Sequence, residues 1–210
     1  HRRPAAPPLS TRMVFGLDSD TDEEVWSPEG MNVVDFFKMS VGEWKSLRSS
    51  HNIAFSHLEE VNTDMVVVDL PLDSDEVREM AEVQGVKAED ILAAAKITWE
   101  GYSDWDDKDV EGNACMAVMG DTTSPGKGKL LKSKGYAEEV PAMSDWEMTA
   151  KGEFILKTNY EMLGAEETMI FKTPNFRQRV SSILTKGSKG ITTCSLATEV
   201  RQNANKKKDE

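Results

Sequence analysis

The chain has 210 residues, and its 37 acidic against 25 basic side chains give a formal net charge of -12, which argues against nucleic acid as a partner, because phosphate neutralisation needs a basic face. A hydrophobic content of 39% and a charged content of 30% fit one soluble domain with tails, and no apolar run nears the ~20 residues of a bilayer span. Two cysteines, Cys115 and Cys194, and three histidines, without HExxH or CxxC, argue against a disulfide framework and a metal site, and GxGxxG, P-loop and GxSxG motifs are also missing.

The opening residues, "HRRPAAPPLSTRMVFGL", are rich in arginine and proline and free of acid, as in an organelle transit peptide or an ordinary disordered tail. The acidic "DSDTDEEVWSPEG" reads as a linker, which places a tail at 1–30, the folded domain at 31–202 and a charged tail at 203–210. "NVVDFFKMS" predicts a short helix that Asn32 caps, with Val33, Phe36 and Phe37 on one face. "DSDEVREMAEVQG" predicts a second, capped by Ser74 or Asp73 and ended by Gly85, and "AEDILAAA" adds one more turn. Ten strand candidates account for most of the remainder: "NIAFSHL", "DMVVVDL", "KITWEGYSDW", "NACMAVMG", "GKLLKS", "SDWEMTA", "EFILKTNYEM", "ETMIFKT", "RQRVSSILT" and "ITTCSLATEVRQ". Hairpin-length gaps mean antiparallel pairing, so the expected fold is mainly β: an up-and-down antiparallel barrel of about ten strands with two or three short helices.

Period-two alternation then selects the candidate site. Arg177 and Arg179 share a strand face with Ser181 and Ile183, and Phe176, Val180 and Leu184 share the other. In the last strand Glu199 and Arg201 repeat this spacing beside Thr193, Ser195 and Ala197. Only "KGSKG" separates the two strands, so they are expected to pair. Small polar residues beside ionisable ones describe a wet cavity wall, and helices are expected to cover the apolar outer face. Trp99 falls on a face with Ile97 and Gly101, Glu167 with Met169 and Phe171, Glu161 with Ile155, and Trp146 with Met148. A solvated strand face and core tryptophans remain the plain alternative.

Five stretches add a family resemblance: "VVDFFKMSVGEWKSLRSSH", "ITWEG" followed by "DW", "LLKSKGYAEEVP", "TPNFRQRVSSIL" and "TEVR". In that order, over residues 31–202, the chain resembles the S-type phycobiliprotein lyases, the CpcS/CpeS family. The resemblance implies a lipocalin-type, fatty-acid-binding-protein-like barrel. It implies that the barrel binds a linear tetrapyrrole, a phycobilin such as phycoerythrobilin, as substrate and holds no prosthetic group. The pigment is attached through a thioether to a cysteine of an apo-phycobiliprotein subunit. A bilin reductase as donor, a homodimer, and a plastid or cyanobacterial-cytoplasm location accompany this reading. Arg177 first, Arg179 second and Arg48 third are the expected anchors for the two propionates, because a guanidinium fork matches a carboxylate. Glu199 or Glu167 would hold the pyrrole nitrogens and favour the protonated pigment, which makes them the catalytic candidates. Trp99 would supply a face for the π-system, and Trp146, Glu161, Asn175 and Arg201 complete the expected ligand-binding set. Relatives often carry a cysteine where this chain has Ala197, so the reacting thiol is expected on the acceptor alone. A non-catalytic bilin or lipid carrier and a barrel filled by its own side chains are the alternatives.

Overall fold

The computed structural model describes residues 26–104, 108–121, 123–133, 141–159, 163–185 and 190–202. Helix α1 (Val33–Ser40) leads into strand β1 (Gly42–Asn52) and its hairpin partner β2 (His57–Asp69). Helix α2 (Asp75–Gln84) follows, and then β3 (Ile91–Ser103), β4 (Lys108–Asp121), β5 (Ser124–Lys132), β6 (Ala142–Met148), β7 (Phe154–Asn159), β8 (Leu163–Thr173), β9 (Phe176–Thr185) and β10 (Ile191–Arg201). Each strand pairs antiparallel with the next. β10 returns to β1, from Trp44 opposite Arg201 to Asn52 opposite Thr193, which closes the barrel and leaves no edge. The architecture is the expected lipocalin-like one.

α1 forms for the predicted reason: the Asn32 side chain accepts a hydrogen bond from the Asp35 amide at 2.9 Å and caps the helix. Its Val33, Phe36 and Phe37 enter the barrel and fill one end. There the Phe36 ring centroid lies 4.8 Å from that of Phe154 and 5.3 Å from that of Phe171. α2 packs outside instead, where Val77, Met80 and Ala81 cover Ala94, Cys115, Ala117 and Leu131. Ser74 holds its N-cap position without a capping side-chain bond, and Gly85 ends it at φ +67°.

Three local expectations are corrected. "NIAFSHL" is the β1–β2 connection, with a 3-10 turn at Ile53–Phe55, and "GEWKSLRSSHN" before it is the strand. "AEDILAAA" gives a 3-10 turn only at Ala88–Asp90 before it becomes β3. None of the described α-helices lies on the outer apolar face of β9 and β10: Val180 is 53% exposed, and Leu184, Leu196 and Val200 are exposed as well. The helix that covers an outer wall lies over β3 to β5 because that wall carries the small residues Ala94 and Ala117, which admit a helix closely. Residues 26–30 lie against the barrel: Trp26 packs on the core, and the Gly30 amide donates to the Ala150 carbonyl at 3.2 Å. None of the described helices is long and apolar enough to cross a membrane.

Candidate functional site

Above the aromatic end, the inward positions turn polar. One row runs through Ser50, Ser195, Ser181 and Glu167, each opposite the next on β1, β10, β9 and β8. The Ser181 and Ser195 hydroxyls are 2.6 Å apart. A second row, nearer the helix, runs through Arg48, Ala197, Arg179 and Met169. The small Ala197 therefore separates two inward guanidinium groups. A third sets Glu199 against Arg177.

Arg177 and Glu199 are the most enclosed charges, 3% and 1% exposed. Arg177 Nε donates to Glu199 Oε2 at 2.5 Å, and its Nη1 donates to the Ser40 hydroxyl at 2.8 Å. The guanidinium also lies 5.1 Å from the Trp44 ring centroid and 5.6 Å from that of Phe171. Burial alone would push the Glu199 carboxyl up, but Arg177 and Arg179 more than offset it and hold it below the usual carboxylate range. Arg177 is thus committed to Glu199 and Ser40. Arg179, 3.7 Å from Glu199 Oε1 with a side chain 31% exposed, is the more accessible of the pair. Arg48 Nε is buried and has no hydrogen-bond partner among the described residues.

Glu167 lies among these groups on β8. Among the described residues its closest cation is Lys132 of β5, with Nζ 3.9 Å from Oε1. Burial pushes the Lys132 ammonium down; Glu167 opposes that and Arg179 reinforces it. The sequence reading missed Lys132. Its signal was the alternation of "KLLK", in which Leu130 and Lys132 point inward while Leu131 lies under α2. Glu59 adds a third carboxylate, accepting from the Ser103 hydroxyl at 2.6 Å. Among the described lumen residues, four cations (Arg48, Lys132, Arg177, Arg179) thus face three carboxylates (Glu59, Glu167, Glu199), in a chain of net charge -12.

Trp99 points inward and lies over Gly112 of β4, where any Cβ would overlap its indole ring. Three expected lining residues lie elsewhere. Trp146 is core: its Nε1 donates to the Met119 carbonyl at 3.0 Å and its ring packs on Phe154. Arg201 caps the end of α1, donating to the Met39 and Val41 carbonyls with its guanidinium 4.2 Å from the Trp44 centroid. Asn175 is exposed in the β8–β9 turn, where its carbonyl accepts from the Arg201 amide. Hydrogen-bonding needs of the helix end and the turn explain both positions. Glu161 lies outside the described residues. A separate depression of about 430 Å³ opens on the outer wall, between Lys127, Lys129, Asp145 and Lys157. Lys127 pairs with Glu147, Lys129 with Asp145 and Lys157 with Glu166, so it is a solvated ion-pair surface away from the arginines.

The barrel thus lines its interior with a guanidinium pair, further charged side chains and an inward indole ring. Residues 32–202 match the model of the CpeS-like protein family. The "Chromophore lyase CpcS/CpeS 3" of Trichodesmium erythraeum (strain IMS101) is 40% identical over 172 residues, covering 81% of this chain and 99% of the relative. The "Putative phycoerythrobilin lyase CpeS" of Microchaete diplosiphon is 35% identical over 147 residues, 70% of this chain and 66% of that one. Among solved structures, the S-type phycobiliprotein lyase CPES from Guillardia theta superposes with a TM-score of 0.74 at 38% identity, covering 84% of this chain and 96% of that one. The fold, the lumen and these likenesses converge: the chain belongs to the CpeS-like family and is an S-type phycobiliprotein chromophore lyase.

Proposed function

We propose that this chain binds a phycobilin, phycoerythrobilin first, in its lumen and attaches it through a thioether to a cysteine of an apo-phycobiliprotein subunit. The observation that carries the reading is the row Arg48–Ala197–Arg179, with a buried Arg48 Nε that has no hydrogen-bond partner among the described residues. A carboxylate brought there would satisfy that donor and meet a second guanidinium beside it. Arg179 and Arg48 therefore take the propionates, while Arg177 holds Glu199 in place beneath them. Glu167 faces the pyrrole nitrogens, and Trp99 supports the conjugated system. The acceptor thiol adds to the ring-A side chain of the pigment, so this chain contributes no nucleophile. Its contribution is to fix one pigment conformation and favour its protonated form.

The relatives' names support the reading, one of them naming phycoerythrobilin. A bilin reductase as donor and a plastid location accompany it, the latter supported by the acid-free opening residues. A homodimer is the accompanying assembly. Its support is the outer wall of β9, β10 and β1, where Leu47, Val180, Leu184, Leu196 and Val200 are exposed.

The test is absorbance of purified protein titrated with phycoerythrobilin, followed by apo-subunit in the same cuvette. A lyase gives a shifted pigment band and then a covalent adduct of one colour. Binding without faster or cleaner adduct formation would identify a carrier, and no spectral change would sink both readings.

A further inference from the structure

We infer that Glu59 is a second pigment-binding carboxylate, so that the pigment lies with its propionates toward α1 and its N–H edge toward the other end of the barrel. This deepens the reading above and rests on it. The inward positions of β1 run through Arg48, Ser50 and Asn52, and the positions opposite them on β2 are Val61, Glu59 and His57. Glu59 thus extends the row of Ser50, Ser195, Ser181 and Glu167, which has a carboxylate at each end and hydroxyls between. That row lies next to Arg48, Ala197 and Arg179, one step farther from α1.

Two unmade hydrogen bonds on β1 give the lumen a direction. Arg48 Nε is a buried donor and Asn52 Oδ1 a buried acceptor, and neither has a hydrogen-bond partner among the described residues. Four residues separate them, about 13 Å along a strand. Buried polar groups cost stability until they are paired, so this order fits a ligand with acceptors on one edge and donors on the other. A bilin has that polarity, with propionate oxygens along one edge and pyrrole N–H groups along the opposite one. Arg48 and Arg179 meet the first edge, and Glu59, one row farther from α1, meets the second. The carboxylate is held for this task. Ser103 of β3, itself 3% exposed, donates its hydroxyl to Glu59 Oε1 at 2.6 Å, and Oε2 makes no hydrogen bond among the described residues. One oxygen fixes the direction of the carboxylate, and the other stays free to accept from an N–H group. Ser103 is therefore a positioning residue for Glu59. The adjacent Glu60 points outward and is exposed.

The experiment titrates the protein with phycoerythrobilin and with its dimethyl ester, which keeps the N–H groups but lacks the propionate charges, and reads affinity from absorbance. Wild type, Glu59→Leu, Glu59→Gln, Arg48→Ala, Ser103→Ala, the Ser103→Ala/Glu59→Leu double variant and Glu60→Gln are compared after circular dichroism confirms the fold. Glu59→Leu should weaken both pigments about tenfold or more and by the same factor. Arg48→Ala should weaken the free acid far more than the ester. Ser103→Ala should weaken binding on its own and add nothing to Glu59→Leu, whereas a merely structural hydroxyl would cost the same in both backgrounds. Glu60→Gln should leave both titrations unchanged. Glu59→Gln, which keeps the shape and loses the charge, gives the readout if the Leu variant does not fold. Where the ester binds too weakly to titrate, the Glu59 variants and the Ser103 cycle decide on the free acid. Unchanged affinity in the Glu59 variants, or a loss seen with the free acid and absent with the ester, overturns the inference. Failure of wild type to bind the free acid would instead overturn the function on which it rests.

Discussion

Arg177 and Glu199 stand directly opposite each other on β9 and β10 and form a 2.5 Å ion pair at the floor of the polar lumen. A pair so enclosed contributes mainly by not being broken. Losing one partner strands the other charge in a dry site, at about 3–5 kcal/mol. Arg177→Ala should therefore lower the unfolding free energy by that amount in urea titrations, and Arg179→Ala should lower it much less.

The same pair sets a pH dependence. Glu199's folded pKa lies below its unfolded value, so its contribution is fully present above the ordinary carboxylate range and is lost as pH falls through the folded value. Stability followed by thermal unfolding should decline in acid, and Glu199→Gln should flatten part of that decline. An acid limb of equal slope in the variant would remove Glu199 from the account.

Pigment affinity should separate the three arginines. Arg48→Ala and Arg179→Ala each delete a charge-assisted hydrogen bond worth about 1.5–3 kcal/mol, which corresponds to roughly 10- to 150-fold weaker binding. Arg78→Ala, on the exposed face of α2, should leave the titration unchanged. Equal affinities across all three variants would end the propionate assignment.

Gly112→Ala puts a methyl group where the Trp99 indole now lies. Because the ring is rigid, it must swing into the lumen, with about 1–3 kcal/mol of overpacking. Tryptophan emission should change, and pigment binding should weaken. Gly112→Ala in a Trp99→Phe background should recover stability, since the smaller ring clears the added methyl.

The exposed wall makes a prediction about assembly. Val180→Asp and Leu196→Arg each put a charge among the exposed apolar side chains of β9 and β10, and sedimentation should show the monomer. A wild-type protein that sediments as a monomer at every concentration would dispose of the homodimer.

How legible all this was in the sequence depended on which side of the wall was wet. β9 and β10 were readable because their arginines and glutamate alternate with apolar residues, and the pairing of the two strands followed from the short connection; that Arg177 spends its guanidinium on Glu199 and not on a ligand shows only in three dimensions. The inference failed on the other face: inward polar residues imply outward apolar ones, but not a helix above them. β1 was missed for the same reason. Its inward Ser46, Arg48 and Ser50 and outward Leu47 invert the usual pattern, so the strand resembled a polar loop. Trp146, Arg201 and Asn175 carried ligand-like chemistry in the sequence, but their partners (a carbonyl on β4, the end of α1, a turn) come together only in three dimensions.

The phenylalanine-bearing helix stoppers one end of the barrel. In the proposed reading the pigment both enters and departs away from that stopper, so loading precedes the acceptor's arrival, and an acceptor docked on an empty vessel would block the queue. Attachment should accordingly obey ordered kinetics, with surplus apo-subunit inhibiting when it is mixed with the protein before the pigment.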